Sequence, residues 1–251
     1  MAQITSAVGN GAPNLPENVR AIQMLLNRFQ AVSASLLAVD GLIGPQTLGA
    51  LRSFFTAHLP ADTPTDIVQP DSSAITTLNG GDTNRIAWGG KVDPSFKEKV
   101  IQISLALEVS VDFLMSAMAF ESGETFSPSI LNAAGSGATG LIQFMPATAQ
   151  GLGTTTADLA AMSATEQLDF VQLYFQPFTG RLSTLTDVYM AILFPVAVGK
   201  GPNFVLFRAG TIAYDQNAGL DTNGDGLITA SEAAAHVRQK YNKGLTPGLL
   251  A

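Results

Sequence analysis

Two carboxylates at the end of an apolar segment are the residues best placed for acid–base chemistry: Glu121 and Glu124. The segment Val111–Phe120 predicts a helix, with Ser110 as its N-cap and Gly123 as its stop. Glu121 would lie in the last turn, where the helix dipole disfavours negative charge and apolar neighbours desolvate the carboxylate. Both effects raise a carboxyl pKa, as a general acid near neutral pH requires. The alternative is a helix-ending Glu that points into water.

The residues that follow add several fixed positions to this pair. Glu121-Ser122 is followed by the stretch GATGLIQFMPATA, which ends at Ala149. This combination resembles the soluble lytic transglycosylases and their goose-type lysozyme relatives. The resemblance implies that Glu121 is the catalytic acid. It also implies that five residues contribute to substrate binding, one as the motif partner of the acid and the others in the glycan cleft: Ser122, Gly140, Gln143, Phe144 and Met145.

Tyr189, in the stretch TDVYMAILFP, is the second candidate catalytic residue. Related phage transglycosylases place an aromatic-containing helix opposite the catalytic Glu, although the usual AYN-Gly motif is degenerate here. The resemblance therefore implies that the Tyr189 hydroxyl hydrogen-bonds the acid. A core tyrosine is an equally good interpretation, because a buried hydroxyl needs a partner in any case.

The resemblance implies cleavage of the β-1,4 bond between N-acetylmuramic acid and N-acetylglucosamine, with formation of 1,6-anhydro ends. Two alternatives stay open. One is a lysozyme-type hydrolase on the same fold, in which Glu124 supplies a second carboxylate at the ~5–9 Å spacing that glycosidases use. The other is a non-catalytic wall-binding or virion structural protein that kept the fold.

The segment Asp221–Glu232 reads DTNGDGLITASE and matches the EF-hand calcium loop, with Gly226 at the sharp turn. Calcium takes six to eight hard oxygen ligands, which this spacing wraps around one centre. The pattern predicts one structural Ca²⁺ and no organic cofactor. An Asx-rich turn without metal is the alternative. The predicted ligands are Asp221, Asn223, Asp225, the carbonyl of Leu227, Thr229 and Glu232.

Two amphipathic segments near the start, Asn14–Ala31 and Gln46–His58, predict a pair of helices. The turn between them contains Asp40-Gly41, and Gln23 lies on the first helix. This spacing resembles the peptidoglycan-binding domain 1 family, whose three-helix modules recognise the bacterial cell wall. A generic helical hairpin with a structural Asp-Gly turn is the alternative.

These patterns predict a mainly α protein with a small peptidoglycan-binding bundle followed by a lysozyme-like catalytic domain. We expect an N-terminal tail over residues 1–12, the binding domain over 13–60, a linker over 61–92 and the catalytic domain over 93–251. Trp88 in the linker is expected to be a packing anchor, with sugar stacking as the alternative. Further predicted helices of the catalytic domain are Phe96–Val109, Thr165–Gln176, Asp187–Val196 and Glu232–Asn242.

Composition excludes several classes of function. The 251 residues are 46% hydrophobic and 13% charged, which is typical of a compact globule. A net charge of −7 argues against a nucleic-acid partner. The absence of Cys and the presence of two His exclude thiol catalysis and a zinc peptidase site. No apolar run approaches the ~20 residues of a membrane span.

The expected partner is peptidoglycan, and the protein is expected to be a soluble monomer. We see no Sec-type signal, so we expect synthesis in a host cytoplasm and action in the periplasm or cell wall. Release through a holin pore or delivery by a virion would provide the route.

Overall fold

The computed structural model describes residues 4–29, 37–59, 66–79, 85–132 and 135–251. The protein is mainly helical, as predicted. It divides into two compact units: residues 1–87 together with 245–251, and residues 88–244. This division differs from the predicted domain boundaries in two ways. Most of the predicted linker belongs to the first unit, and so do the last seven residues, which were predicted to be part of the catalytic domain.

The first unit contains three described helices and one pair of short strands. The antiparallel strands pair Val8 with Val68 and Gly9 with Ile67. Helix α1 begins at Pro16, whose fixed φ suits the first helical position, two residues later than predicted. Its predicted last residues, 30 and 31, lie outside the described residues. The elements in chain order are β1 (Val8–Gly9), α1 (Pro16–Phe29), α2 (Pro45–His58), β2 (Ile67–Val68) and α3 (Ser73–Asn79).

Two segments that were predicted to be loose are ordered parts of this unit. In the predicted tail, Ile4 and Val8 are buried. In the predicted linker, Val68 and the apolar face of α3 are buried in the same core, although residues 61–65 and 80–84 are outside the description. Strands of two residues and a helix of seven are too short to show a hydrophobic period, so the sequence pattern did not indicate them.

The Asp-Gly turn is held by a buried glutamine of α1. The side-chain amide of Gln23 donates to Asp40 Oδ1 at 2.8 Å, to the Leu42 carbonyl at 3.0 Å and to Thr47 Oγ1 at 3.2 Å. Its carbonyl oxygen accepts from the Gly41 amide at 3.0 Å. The fixed positions of this motif therefore form a hydrogen-bonded framework that joins α1 to the start of α2.

The second unit is built around one apolar helix. Helix α5 (Val111–Glu121) is buried at nearly every position, as a helix that is hydrophobic all round must be. Three helices pack against it: α4, α9 and α12. The remaining elements of the unit, in chain order, are α4 (Pro94–Ala106), α6 (Pro146–Gly151), α7 (Thr156–Ala161), α8 (Ala164–Phe175), α9 (Leu185–Leu193), β3 (Val205–Arg208), α10 (Ile212–Asn217), β4 (Leu227–Thr229), α11 (Ala230–Ala233) and α12 (Ala235–Gly244).

The predicted helices of this unit are present with shifted ends. Helix α9 stops at Leu193, short of the predicted end at Val196, because the residue before Pro195 is driven out of the helical conformation. The predicted C-terminal helix is divided into α11 and α12. No single described helix is long and apolar enough to cross a membrane. Helices α4 and α5 reach that length and composition only together, and a bend of 120° separates them.

Trp88 is a packing anchor of the second unit. Its side chain is completely buried, so it has no surface on which a sugar could stack. The indole Nε1 donates to the Lys240 carbonyl at 3.0 Å, and the ring lies 6.2 Å from that of Phe126. The backbone amide of Trp88 donates to the carbonyl of Gly244 at 3.2 Å, so the two ends of this unit meet in one hydrogen bond.

Candidate active site

The end of α5 carries both candidate carboxylates. Glu121 is the last residue of the helix, and Gly123 follows in the left-handed conformation at φ 59°, which confirms the predicted stop. The Gly123 amide donates to the Phe120 carbonyl at 3.2 Å, and the Glu124 amide donates to the Ala119 carbonyl at 2.7 Å. This pair of bonds is the Schellman arrangement. It turns the chain sharply and leaves the Glu121 side chain at the carbonyl end of the helix.

Glu121 is half-buried, and no described residue forms a hydrogen bond or an ion pair with its carboxyl group. Burial raises the pKa of Glu121 to about 7, because a carboxylate loses hydration there and gains no compensating partner. At neutral pH both protonation states are therefore populated. A carboxyl in this condition can donate a proton and take one back.

Glu124 has the opposite environment three residues later. Its two carboxylate oxygens accept from Lys240 Nζ and from Lys243 Nζ, each at 2.5 Å. These hydrogen bonds hold the pKa of Glu124 below its usual value, so it stays ionised at neutral pH. Two nearby carboxyls whose environments separate their pKa values are the arrangement expected of an acid beside a fixed anion.

Two tyrosines from different helices lie beside Glu121. Tyr189 of α9 is buried, and its ring meets the ring of Phe120 edge-on at 5.5 Å. Burial raises the pKa of Tyr189 and of Tyr174, and the negative charge of Glu121 raises both further. The Tyr174 hydroxyl of α8 donates to the Ala191 carbonyl at 2.8 Å, whereas the Tyr189 hydroxyl has no hydrogen bond to a described residue. The structure therefore adds Tyr174, which belongs to no sequence motif.

The GATGLIQF segment forms a tight turn. The backbone amides and carbonyls of Thr139 and Phe144 exchange hydrogen bonds at 3.1 and 2.8 Å and close the turn between them. Gly140 has φ 79°, and a Cβ there would stand 2.3 Å from Gln167 Oε1. That oxygen accepts from the Leu141 amide at 2.7 Å, so Gly140 makes room for the side chain that fixes the turn.

The structure separates the five predicted substrate-binding residues into two groups. Gly140 and Phe144 are buried, and so is Ser122, whose hydroxyl donates to the Met118 carbonyl at 2.6 Å and accepts from the Phe126 amide at 3.0 Å. These three residues shape the turn and the helix end; they were predicted to contribute to substrate binding, Ser122 as the motif partner of Glu121. Accessible surface remains on Gln143, which is half-buried, and on Met145, which is 47% exposed.

The Phe144 ring connects this turn to the carboxyl. It meets the ring of Tyr174 edge-on at 6.2 Å, and Tyr174 lies beside Glu121. An aromatic contact thus joins the turn to α8, and Tyr174 of α8 lies near the carboxyl at the end of α5. Glu121, Tyr189 and the exposed part of the turn form the candidate active site.

The predicted calcium loop has the backbone turns that its sequence requires. The Asp221 carboxylate accepts from the Gly224 amide at 2.8 Å and from the Gly226 amide at 2.9 Å. Asp225 accepts from the Leu227 amide at 2.8 Å. Strand β4, which lies within the loop, pairs with β3 and buries Ile228 completely. Asn223 Oδ1 accepts from the Asp225 amide at 2.8 Å, so loop amides hold the first three predicted ligands.

The last predicted ligand, Glu232, divides its carboxylate between a helix cap and the loop, where Oε1 accepts from the Thr222 hydroxyl at 3.3 Å. Its carboxylate accepts from the Thr229 amide at 3.0 Å and from the Thr229 hydroxyl at 2.8 Å, which caps α11. In the described ranges no three Asp, Glu or His side chains come together closely enough to hold a metal ion. The donor set fits calcium in its chemistry, and one oxygen of Glu232 already faces the loop.

The two sets of predicted residues therefore differ in how closely the structure assembles them. The candidate active site is assembled from α5, α8, α9 and one turn, whereas in the calcium loop the Asp221 and Asp225 carboxylates are held by loop amides without forming a cluster of three acidic side chains. Comparison with protein-family models gives no match for this chain, and comparison with curated proteins gives none either.

Proposed function

We propose that this protein is a peptidoglycan-degrading enzyme, a lytic transglycosylase that cleaves the β-1,4 bond between N-acetylmuramic acid and N-acetylglucosamine. One observation carries the proposal. Glu121 is a half-buried carboxyl at a helix end, without a described partner and with its pKa raised to about 7. That is the state a single residue needs if it serves first as the acid and then as the base.

The reaction needs no water and no second carboxylate. Protonated Glu121 donates its proton to the glycosidic oxygen as the bond from that oxygen to C1 of the muramoyl ring breaks. The muramoyl 6-hydroxyl then attacks C1, and its proton passes to the Glu121 carboxylate. The products are a 1,6-anhydro-muramoyl end and a free 4-hydroxyl on the glucosamine. Glu121 returns to its protonated state, so the cycle closes.

Tyr189 contributes a hydroxyl to this chemistry. It lies close enough for the charge of Glu121 to raise its pKa, and no described residue occupies its hydroxyl. A neutral hydroxyl there can donate to the carboxylate after proton transfer and orient it. Tyr174, which is bonded to the Ala191 carbonyl, instead holds α8 against α9.

The environment of Glu124 favours this reaction over hydrolysis. A lysozyme-type hydrolase on this fold would use a second carboxylate as nucleophile or as base for water. Both oxygens of Glu124 are bonded to lysine ammonium groups, which lowers their basicity and blocks their lone pairs. The pKa of Glu121 supports an enzyme over a binding-only protein, because a group that exchanges a proton near neutral pH suits acid–base catalysis.

The first unit would hold the enzyme on its insoluble substrate. The motif framework of Gln23, Asp40 and Thr47 supports the proposal that this unit binds peptidoglycan. Tethering raises the local concentration of the catalytic unit at the glycan strands. A bacteriolytic endolysin, acting on the cell wall after release or delivery, has this combination of activities.

Calcium binding by the Asp221–Glu232 loop is part of the proposal. The carboxylates of Asp221, Asp225 and Glu232 would hold the ion, together with the Asn223 amide oxygen, the Leu227 carbonyl and Thr229. Bound calcium would hold the first half of the loop against β4 and the start of α11, which form its second half. It would displace the Tyr214 hydroxyl, which now donates to Asp221 Oδ2 at 2.7 Å.

Mass spectrometry of the muropeptides released from purified peptidoglycan tests the proposal. The wild type is expected to release anhydro-muramoyl ends, Glu121→Gln to release none, and the exposed control Glu98→Gln to match the wild type. Reducing ends that disappear in Glu121→Gln would instead identify a hydrolase. Absence of products from the wild type, with sedimentation on the wall intact, would overturn the enzymatic proposal in favour of binding alone.

A further inference from the structure

Gln167 of α8 is a fully buried polar residue whose side chain bonds three separate segments of the second unit. Its amide nitrogen donates to the Pro128 carbonyl at 3.0 Å and to the Leu159 carbonyl at 2.8 Å. Its amide oxygen accepts from the Leu141 amide at 2.7 Å. Both donors and the acceptor of the side chain are therefore paired. The three partners belong to the loop after α5, to α7 and to the turn Thr139–Phe144, which we call the cleft turn.

Two of these partners are close in the chain to the carbonyls that hold Gln143, the half-buried residue of the cleft turn that keeps accessible surface. The side-chain amide of Gln143 donates to the Gly140 carbonyl at 3.2 Å and to the Ile130 carbonyl at 3.3 Å. Gly140 precedes Leu141, and Ile130 follows Pro128 in the same loop. The Gln143 backbone is in the left-handed region at φ 53°, and such a strained backbone persists only where its surroundings hold it.

A second contact attaches the cleft turn to α8. Tyr174 follows Gln167 by about two helical turns, so the two side chains lie on the same face of the helix. The Tyr174 ring meets the ring of Phe144 edge-on at 6.2 Å. Leu141 is therefore attached to α8 by a hydrogen bond, and Phe144 is attached to it by a ring contact.

The bond to Pro128 leads back to the helix end that carries the candidate acid. The Phe126 amide, two residues before Pro128, donates to the Ser122 hydroxyl at 3.0 Å, and Ser122 follows Glu121 directly. The loop is thus fixed to the end of α5 at one point and to Gln167 at the next. The same glutamine therefore bonds both the loop that starts at the acid and the turn that offers surface to a substrate.

We infer that Gln167 is a positioning residue for substrate binding: it bonds the loop after α5 and the cleft turn to α8 and so holds Gln143 at a fixed place relative to Glu121. The inference rests on the proposed function in taking the accessible part of the turn as glycan-binding surface. Without this support the strained Gln143 backbone would relax, and a glycan would lose contacts that are preorganised in the native turn. The acid itself lies on α5 and keeps its place.

Amide hydrogen exchange tests the support of the turn without reference to activity. Gln167→Met keeps the length of the side chain and removes its three hydrogen bonds. We expect the protection of the Leu141 amide to fall about tenfold or more, while the amides of α5 keep theirs. Gln172→Met makes the same substitution at a half-buried position of the same helix and is the control, with no change expected. An unchanged Leu141 amide in Gln167→Met would overturn the inference.

Binding and kinetics separate a positioning role from a purely structural one. In the Glu121→Gln background, which is expected to bind without cleaving, we expect Gln167→Met to raise Kd about tenfold. The ligand is a soluble tetrasaccharide of alternating N-acetylglucosamine and N-acetylmuramic acid, and the method is calorimetry. In the active enzyme KM should rise by the same factor, with kcat within about threefold of the wild type. Val100→Ala, a buried change in α4, lowers stability and is expected to leave Kd and KM unchanged.

Gln167→Glu provides a graded variant. It keeps the acceptor for the Leu141 amide and, in the protonated form that burial favours, one of the two donors. Its KM and Kd are therefore expected to lie between those of the wild type and Gln167→Met. Thermal melting shows whether each variant is folded, and Gln167→Glu carries the same test if Gln167→Met does not fold.

The two proposals fail in different ways. If the folded variants lose protection at Leu141 but keep the Kd and KM of the wild type, Gln167 is a structural residue only and the inference is overturned, whatever products the wild type releases. If Kd rises as expected but the wild type releases no anhydro-muramoyl ends, the positioning role stands and the proposed function fails.

Discussion

At the scale of single residues, burial and ion pairing shift the pKa values of two neighbouring carboxyls in opposite directions. Glu121 loses water and gains no partner, so its pKa rises to about 7, whereas two lysines hold the pKa of Glu124 low. The same helix end thus presents one group that exchanges a proton near neutral pH and one that does not. A pKa that differs between the folded and unfolded chain is also a statement about stability.

The raised pKa of Glu121 predicts how stability depends on pH. The native state binds more protons than the unfolded state between about pH 4.5 and pH 7, so Glu121 lowers stability as pH rises through this window. Glu121→Gln removes the penalty. We expect its Tm to exceed that of the wild type by about 2–4 °C at pH 8 and to converge with it near pH 4. A gap that is equal at both pH values, measured by calorimetry, would contradict the raised pKa.

The two tyrosines are predicted to separate activity from stability. Tyr189→Phe removes a hydroxyl with no described partner beside Glu121, so we expect activity to fall at least tenfold with Tm unchanged. Tyr174→Phe leaves the Ala191 carbonyl without its donor, so we expect a loss of about 1 kcal/mol in unfolding free energy and a smaller effect on activity. Unchanged turnover in Tyr189→Phe would make Tyr189 a core residue only.

The sequence predicts a raised pKa for Glu121 because the features behind that prediction, the helix end and its apolar neighbours, are adjacent in the chain. The groups that complete the site are not local. Tyr174 lies near Glu121 only because α8 packs against α4, which in turn packs against α5, and Lys240 bonds Glu124 from 116 residues away. Sequence spacing does not predict contacts between residues that are so far apart in the chain. For the same reason the ion pairs of Glu124 with Lys240 and Lys243 were not predicted, and Glu124 was expected to be either a second catalytic group or a solvated residue.

At the scale of elements, length decided which predictions succeeded. The helices α1, α2, α4, α5 and α8 each have eleven or more residues, and their apolar periods predicted them to within a few residues. The helices α3, α6, α7 and α10 have six or seven residues and were not predicted. Their stability comes from tertiary packing and caps, which a periodic pattern does not record.

The turn between Thr139 and Phe144 is predicted to require its glycine. Gly140→Ala would place a Cβ against Gln167 and would force φ 79° on a residue that disfavours it. We expect a loss of about 2 kcal/mol or more in unfolding free energy, together with loss of activity. Gly151→Ala is the control, because that position in α6 has open space and an ordinary φ. Equal denaturant midpoints for the two variants would contradict the close approach of the Gln167 side chain to Gly140.

The calcium loop is predicted to stabilise the protein when metal is added. Calcium at about 100 times its Kd should add about 2.7 kcal/mol to the unfolding free energy, measured as a rise in Tm. Asp225→Asn keeps the acceptor for the Leu227 amide but removes a charge, so we expect it to weaken the effect. Terbium luminescence excited through Tyr214 provides an independent signal. If calcium does not change the Tm of the wild type, the segment is an Asx-rich turn that binds no metal.

At the scale of the whole molecule, the predicted order of modules and the observed units differ in their boundaries. The segments predicted as tail and linker contain Val8 and Val68, which pair across two strands in the core of the first unit. The C-terminal residue 251 also belongs there, where its carbonyl accepts from the Ile86 amide at 3.0 Å. Such long-range pairing cannot be deduced from a polar, Pro-rich composition.

Binding and catalysis are predicted to be separable by a change in the first unit. Gln23→Ala removes the amide that holds the Asp40–Thr47 turn, so we expect weaker sedimentation with insoluble peptidoglycan. Cleavage of soluble glycan fragments should stay within twofold of the wild type, because the catalytic groups lie in the second unit. The exposed control Gln69→Ala should alter neither. Equal losses on soluble and insoluble substrate would contradict the division of labour.

The hydrogen bond from the Trp88 amide to the Gly244 carbonyl has a consequence for the order of the chain. Because the two ends of the second unit meet, its polypeptide forms a nearly closed ring. A short covalent bridge between residues 244 and 88, with new termini opened in the exposed stretch around Gly180, should give a circular permutant with the same helices. In evolutionary terms, a segment closed in this way can be carried between host proteins as an insertion.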